Sequence, residues 1–427
     1  MGIYFTIIMF YPLPPYSISN ALAMALAQVS GFLLVLYLLT TVLLLKLTAP
    51  YKKEKLNRKE DFIPGQSERA VKNPVYKVVL IIGLSLAIVN FLPLLSTPIA
   101  IDNAEDEFER VYGLDWRDQI PESINSFFLP TQFDLTHYFL GWPQKECNID
   151  TVKYYEDDDI ELSFDVYYPK ETERELPGHN STIIKIHGGG WTEGDKGIGN
   201  MLWVNRYLAS QGYIVFDIQY GLFDDGSSPT LPTPESTRSK DMTLHDMIYH
   251  IGYFTKLLES KYAKKYQAEL DSVFIMGGSA GGHLTGVVGL GYNDDYFAGN
   301  YSAALTIRGI VPYYPANDAE RIASGDRDDL IPGTPKSNAL AYEKFTPSEL
   351  ADSEDPSCLI FHGVQDGIVS MQESKVIKEA LEEEEVSCLL LSFPTAAHAN
   401  DYIASNNYQQ VFLYYLERFL YLEQYTE

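Results

Sequence analysis

The apolar run Ser272-Val273-Phe274-Ile275-Met276 leads straight into Gly277-Gly278-Ser279-Ala280-Gly281-Gly282-His283. Gly277-x-Ser279-x-Gly281, set between a strand and the small-residue start of a helix, is the pattern of a nucleophile carried on a sharp turn. The glycines meet a steric demand, because the turn strains the serine backbone and bulky neighbours would collide with the adjoining strand or helix. The turn also puts the serine at a helix N-terminus, where the dipole favours developing negative charge. The chemistry on offer is attack on a carbonyl carbon. A phosphate-cradling loop is the rival, but the Lys-Ser/Thr ending it needs is missing.

Attack on a carbonyl requires donors for the oxyanion, a base, and a group to orient the base. Upstream, Ile186-His187-Gly188-Gly189-Gly190-Trp191 follows another apolar run. Glycines there let bare amides approach a substrate oxygen, so Gly189 and Gly190, with Ala280, are the expected donors, and Gly188 shapes the turn. The acid and base should follow in the order serine, carboxylate, histidine, each after a later strand. Asp366 in Phe361-His362-Gly363-Val364-Gln365-Asp366 and His398 in Thr395-Ala396-Ala397-His398 occupy those places. Of the other histidines, His187 and His283 sit inside glycine motifs, His362 points back at a strand end, and the rest precede the nucleophile. Ser279 is thus the expected nucleophile, His398 its base and Asp366 the group that holds the imidazole. Trp191 and Tyr220 are candidate walls of an acyl pocket.

These stretches resemble the α/β-hydrolase superfamily, and within it the esterase/lipase group related to hormone-sensitive lipase and the feruloyl-esterase-like carboxylesterases. That group carries His-Gly-Gly-Gly, Gly-x-Ser-Ala-Gly-Gly and a late Asp and His. Ser163-Phe164-Asp165-Val166-Tyr167-Tyr168-Pro169 is similar to its opening strand. The resemblance covers residues 153–427 and departs at Phe216 to Gly221, where relatives usually have a Tyr-Arg pair. It implies a hydrolase of small-molecule carboxylic esters, acting through an acyl-enzyme with no metal or organic cofactor; it does not extend to the first hundred residues. One alternative keeps the triad but cleaves an amide, a formamide or a short peptide. Another is a hydrolase-like binding or adhesion domain without turnover; such domains commonly lose the serine or histidine, and both are in place here.

Strands are expected at 162–168, 182–186, 213–217, 272–276, 307–311, 358–361 and 386–391, and helices at 241–264, 372–385 and 409–423. This alternation is that of a mostly parallel sheet covered by helices, an α/β fold. The aromatic segment 102–152 reads as a linker or a cap, and the polar insertion 317–352 as the other candidate lid. Cys147, Cys358 and Cys388 have neither the number nor the spacing of a disulfide framework or a zinc site.

The first hundred residues are of another kind. No charge precedes Lys46, and both Ala21 to Leu45 and Val78 to Ile101 are long enough to cross about 30 Å of hydrocarbon as helices. Asn90 and Pro93 in the second run need helix neighbours or a kink to absorb them. A cleaved signal peptide would begin with basic residues and have a shorter apolar stretch. The segment 46–77 between the two runs is rich in Lys and Arg, which keeps it on the cytoplasmic side and sends residues after Asp102 to the extracytoplasmic side. The expected organisation is a two-helix membrane anchor over 1–101, the linker or cap, and a catalytic domain over 153–427. Two spans are too few for a transporter. Up to Ile101, 9 Lys/Arg stand against 4 Asp/Glu; beyond it 23 stand against 54, within an overall charge of −26. That balance excludes a general nucleic-acid binder, and its field disfavours anionic substrates. Nothing in the pattern reads on oligomeric state.

Overall fold

A computed structural model describes residues 3–4, 6–7, 18–48, 74–170, 176–198, 201–403 and 405–424. The chain divides into two compact units, Met1–Ser96 and Thr97–Glu427.

In the first unit, α1 (Ile18–Gln28) and α2 (Ser30–Thr48) stand where a single span was expected over 21–45, and α3 is Pro74–Leu95. The break at Val29 adjoins the Ser30-Gly31 pair, a sequence at which helices kink. By length and composition, α2 and the apolar stretch beginning at Pro74 could each cross a membrane. They pack closely: a β-carbon on Gly83 of α3 would fall 1.9 Å from Thr41 Oγ1 of α2. Small residues at helix crossings allow such approach in an apolar solvent, where packing rather than water drives association. Asn90 is buried, and its amide donates to Thr6 Oγ1 and to the Leu86 carbonyl. The helix ends at Leu95 rather than Ile101, because Thr97-Pro98 opens a new helix whose Ala100, Ala104 and Phe108 are fully buried in the second unit. Most of the basic segment 46–77 lies outside the described residues.

The second unit holds an eight-stranded sheet in the order β1-β2-β4-β3-β5-β6-β7-β8. The strands are β1 (Asn148–Glu156), β2 (Glu161–Tyr168), β3 (Ser181–Ile186), β4 (Ile214–Ile218), β5 (Glu269–Gly278), β6 (Ile307–Tyr313), β7 (Ser357–Gly363) and β8 (Cys388–Phe393). β2 pairs antiparallel with β1 and β4, and the six strands from β4 to β8 run parallel. This is the α/β-hydrolase fold. Central parallel strands are covered on both faces, which is why they read as unbroken apolar runs; β3 is buried at every position. The edge strand β1 alternates half-buried and exposed residues and so lacks such a run, which explains a strand at Asn148 where the domain was expected to begin at Lys153.

Helices α4 (Thr97–Tyr112), α5 (Met201–Ser210) and α9 (Asn407–Glu423) cover one face, and α6 (Leu244–Leu257), α7 (Ala280–Leu290) and α8 (Met371–Glu383) the other. The segment expected as linker or cap is built into the first of these layers. Asn103 accepts from the Ser392 amide, Tyr112 donates to Glu423, and Trp142 packs on Trp203 and Tyr207 of α5. It is the 317–352 insertion that reaches the glycine loop, through Arg327 over Trp191 and Phe345 beside His283.

Candidate active site

β5 ends at Gly278 and α7 begins at Ala280, so Ser279 forms the corner, with φ 57° and ψ −119°. A serine holds such a strained conformation only when its surroundings over-determine it. Here its amide donates to the Tyr313 carbonyl and its carbonyl accepts from the His283 amide, each at 2.9 Å. A β-carbon on Gly277 would lie 2.4 Å from the Gly281 carbonyl oxygen, and one on Gly281 2.2 Å from the Ile186 carbonyl oxygen. No larger residue fits either place.

Ser279 Oγ lies 2.9 Å from His398 Nε2, and His398 Nδ1 lies 2.6 Å from Asp366 Oδ2. With the carboxylate on Nδ1, the ring proton stays there and Nε2 is the acceptor for the serine hydroxyl. The Asp366 side chain is 0% exposed, and its other oxygen accepts from the amides of Ile368 and Val369 at 2.8 and 2.9 Å. His362, expected to point back at its strand, also faces this carboxylate: its Nε2 is 3.4 Å from Asp366 Oδ2 and 3.1 Å from the Val369 carbonyl, while Nδ1 accepts from Ser374 at 2.6 Å. Burial pushes the Asp366 pKa up, but His398 and His362 outweigh it and hold the group well below the usual carboxylate range. The carboxylate is therefore charged at neutral pH.

The glycine loop lies against this corner. A β-carbon on Gly188 would fall 2.6 Å from the Gly278 carbonyl oxygen, and one on Gly189, at φ 126°, 1.8 Å from that of Glu193. Among the described residues the amides of Gly189, Gly190 and Ala280 take no protein acceptor, leaving donors beside the serine.

Trp191 and Tyr220 are not placed as pocket walls, since packing uses up their surfaces. Tyr220 is fully buried, stacks on the His187 ring and donates to the His187 carbonyl at 2.9 Å. Trp191, 4% exposed, donates to His283 Nδ1 at 3.3 Å. The Phe345 carbonyl, 2.8 Å from His283 Nε2, can only accept, so Nε2 carries the proton and Nδ1 is left for Trp191. Both residues are packed against the loop through these contacts.

His283 is fully buried, and that burial pushes its pKa down to about 4. Its ring is neutral when folded but takes a proton near pH 6.5 when unfolded, so acidification from 6.5 towards 4 removes on the order of 3 kcal/mol of stability. His283→Gln, which cannot titrate, is expected to be less stable than wild type at pH 7.5 and to lose that gap as pH falls to 5. Chemical denaturation midpoints at the two pH values check this.

Tyr314 escaped notice in the sequence because no pattern marks it. It follows β6 with φ 36°, sets its ring edge against His398 with centroids 4.6 Å apart, and donates to the buried Asp401. A β-carbon on Gly278 would meet its hydroxyl at 2.8 Å, so the corner glycine also makes room for this prop. The one signal for His362 was its place four residues before Asp366. Cys147, Cys358 and Cys388 are buried free thiols. Among the described residues no group of three or more His, Cys, Asp or Glu converges as a metal site requires.

Residues 164–381, just over half of the chain, match the model of the BD-FAE family. The match ends before His398. The chain is similar to LipM of Mycobacterium tuberculosis, described as a probable carboxylic ester hydrolase (25% identical; 54% of this chain, 52% of LipM), and to the esterase LipQ of the same organism (24%; 54% and 52%). It spans about half the length of these curated relatives. Among solved structures it is similar to esterase B of Lactobacillus rhamnosis (19% identical; 63% of this chain, 87% of that one; TM-score 0.47) and to propionate-bound esterase 2 of Thermogutta terrifontis (20%; 60% and 85%; 0.45). With its matched half running from β2 through the serine corner to α8, the chain belongs to the BD-FAE family of esterase/lipase-like α/β-hydrolases.

Proposed function

We propose that the chain hydrolyses carboxylic esters through a covalent acyl-serine. The reading is carried by the continuous path from Ser279 Oγ through His398 to a charged, buried Asp366, with 2.9 and 2.6 Å steps. Ser279 attacks the carbonyl as His398 Nε2 takes its proton, and the amides of Gly189, Gly190 and Ala280 receive the oxyanion. His398 then returns the proton to the departing alcohol, and water repeats the sequence on the acyl-serine. Loss of one such donor typically raises the barrier by about 2.7–4 kcal/mol. LipM and LipQ, described as a probable carboxylic ester hydrolase and an esterase, support the ester reading.

A fluorophosphonate probe is expected to label the full chain in detergent at Ser279, with labelling abolished in Ser279→Ala. Undiminished labelling of that variant would reject the assignment. Rates on a matched ester and amide test the bond. Tyr314→Phe is expected to lower kcat roughly tenfold at nearly constant KM, since loosening the base misplaces it by a fraction of an ångström; an equal change in both parameters would speak against a positioning role.

The same proposal makes the first unit a two-helix membrane anchor, with 46–77 cytoplasmic and the hydrolase unit extracytoplasmic. Its support is the apolar length of α2 and α3 and the basic bias between them. Protease added to intact cells is expected to degrade the hydrolase unit; protection of that unit would reverse the orientation.

A further inference from the structure

We propose that the esters this chain cleaves are neutral, long-chain acyl lipids taken directly from the bilayer. The proposal rests on the ester-hydrolase and membrane-anchor readings and adds a substrate class to them.

The direction of α4 carries it. Asn103 accepts from the Ser392 amide at 2.8 Å, Glu107 accepts from the Leu390 amide at 3.4 Å, and Arg110 donates to the Cys388 carbonyl at 2.5 Å. The helix therefore runs against the edge strand β8, from its C-terminal end to its N-terminal end. β5 to β8 are parallel, so α4 begins at the end of the sheet from which β5, β7 and β8 deliver Ser279, Asp366 and His398. Thr97 agrees with this placement: it is buried, and its Oγ1 accepts at 3.0 Å from Asn407, the first residue of α9 and nine positions beyond His398. The apolar helix α3 ends at Leu95, so Ser96 alone joins it to this point. Chain length then tethers the site to any bilayer that α3 crosses. Entry at the other end of α4 would add about 24 Å, the length of its 16 residues.

The surface at this end suits contact with lipid. Ile99 in the first turn of α4, Leu135 and Leu140 on the short helix Leu135–Leu140, Leu202 at the start of α5 and Val364 after β7 are all exposed, Leu140 by 81%. The short helix is held beside the start of α9, where the Asp134 amide donates to Gln410 Oε1 at 2.8 Å and Gln410 Nε2 donates back to the Asp134 carbonyl at 3.3 Å. A single exposed leucine is ordinary, and Leu114 beyond the far end of α4 is one. Five such residues on elements that meet at the tethered end mark an interaction surface. Taking a long acyl chain into water costs about 0.8 kcal/mol per CH2, which a site held at the bilayer surface avoids. Charge narrows the class further, because 54 Asp/Glu against 23 Lys/Arg after Ile101 repel anionic headgroups.

The experiment reconstitutes the full chain in phosphatidylcholine vesicles and compares oleate release from dioleoylglycerol with hydrolysis of methyl butyrate. Wild type is expected to release oleate at least about tenfold faster when the lipid shares its vesicles than when it is supplied in separate ones. A 30-residue Gly/Ser spacer between Ser96 and Thr97, spanning about 30 Å, should lower the ratio of oleate release to methyl butyrate turnover roughly tenfold. Leu135→Glu combined with Leu140→Glu should lower the same ratio, and this variant decides the matter should the spacer impair folding. Equal release from shared and separate vesicles, or an unchanged ratio in a variant that still turns over methyl butyrate, overturns the proposal and leaves the hydrolase reading standing. Failure of the chain to float with the vesicles overturns the anchor reading. Absence of methyl butyrate turnover together with absence of fluorophosphonate labelling overturns the hydrolase reading, and either failure takes this proposal with it.

Discussion

Ser279→Ala is expected to lower kcat on methyl butyrate by on the order of a million-fold, with the thermal midpoint nearly unchanged. The size follows from the proposed mechanism: if Oγ is the nucleophile, its loss removes the acyl-enzyme, and the residual rate would come from substrate binding and the proposed oxyanion amides acting on water. The unchanged fold follows from what the hydroxyl touches, which is His398 Nε2 and no structural group. Alanine keeps the β-carbon and so inherits the same φ of 57° and the same close glycine neighbours. Backbone strain is therefore equal in the two proteins. A variant that retains more than about a hundredth of wild-type turnover would place the nucleophile elsewhere; one that unfolds would mean that the hydroxyl supports the corner.

Ser279, His398 and Asp366, which the structure brings into one hydrogen-bonded series, stood out in the sequence for a physical reason. Each follows a parallel strand covered on both faces, and such strands announce themselves as short apolar runs, as β3 and β5 do. Gly277 and Gly281 beside Ser279 were legible because their absence of side chain answers contacts of 2.4 and 2.2 Å to backbone oxygens that no other residue survives. What stayed hidden depends on contacts between distant parts of the chain. Tyr314 matters because β6 delivers it to His398, and nothing within its own neighbourhood says so. Tyr220 was misread for the same reason: an aromatic after a strand suits a pocket wall as well as a buried prop, and only the His187 carbonyl above it decides. The segment 102–152 has the aromatics of a cap, yet they are consumed in packing against α5 and α9. Its edge strand was lost because one open face replaces the apolar run with an alternation.

Asp366→Asn should lower kcat about ten-thousand-fold with KM little changed, although the two side chains have the same shape. The carboxylate accepts at 2.6 Å from His398 Nδ1, which fixes the ring proton there and leaves Nε2 to receive the serine proton. An amide at this place can offer its NH2 instead, which moves the ring proton to Nε2 and turns the base into a donor facing Ser279. It also removes the charge that stabilises the imidazolium when it forms. Stability should respond with a defined sign. The pKa of Asp366 is held down by His398 and His362, so the stabilisation is present above the ordinary carboxylate pKa near 4 and lost as pH falls through the lower folded value. Wild type should then be more stable than the variant at pH 7, and the gap should close on acidification below pH 4. The informative rival is Asp401, buried three residues beyond His398, close enough to feel its charge and bonded to Tyr314. Burial pushes its pKa up, where the Asp366 pKa is held down, so it is the poorer partner for a cationic ring. Asp401→Asn should accordingly cost far less than Asp366→Asn in kcat. If the two variants instead changed places, the carboxylate that orients His398 would be the one on its own loop, and Asp366 would serve only to hold the loop after β7 through the amides of Ile368 and Val369.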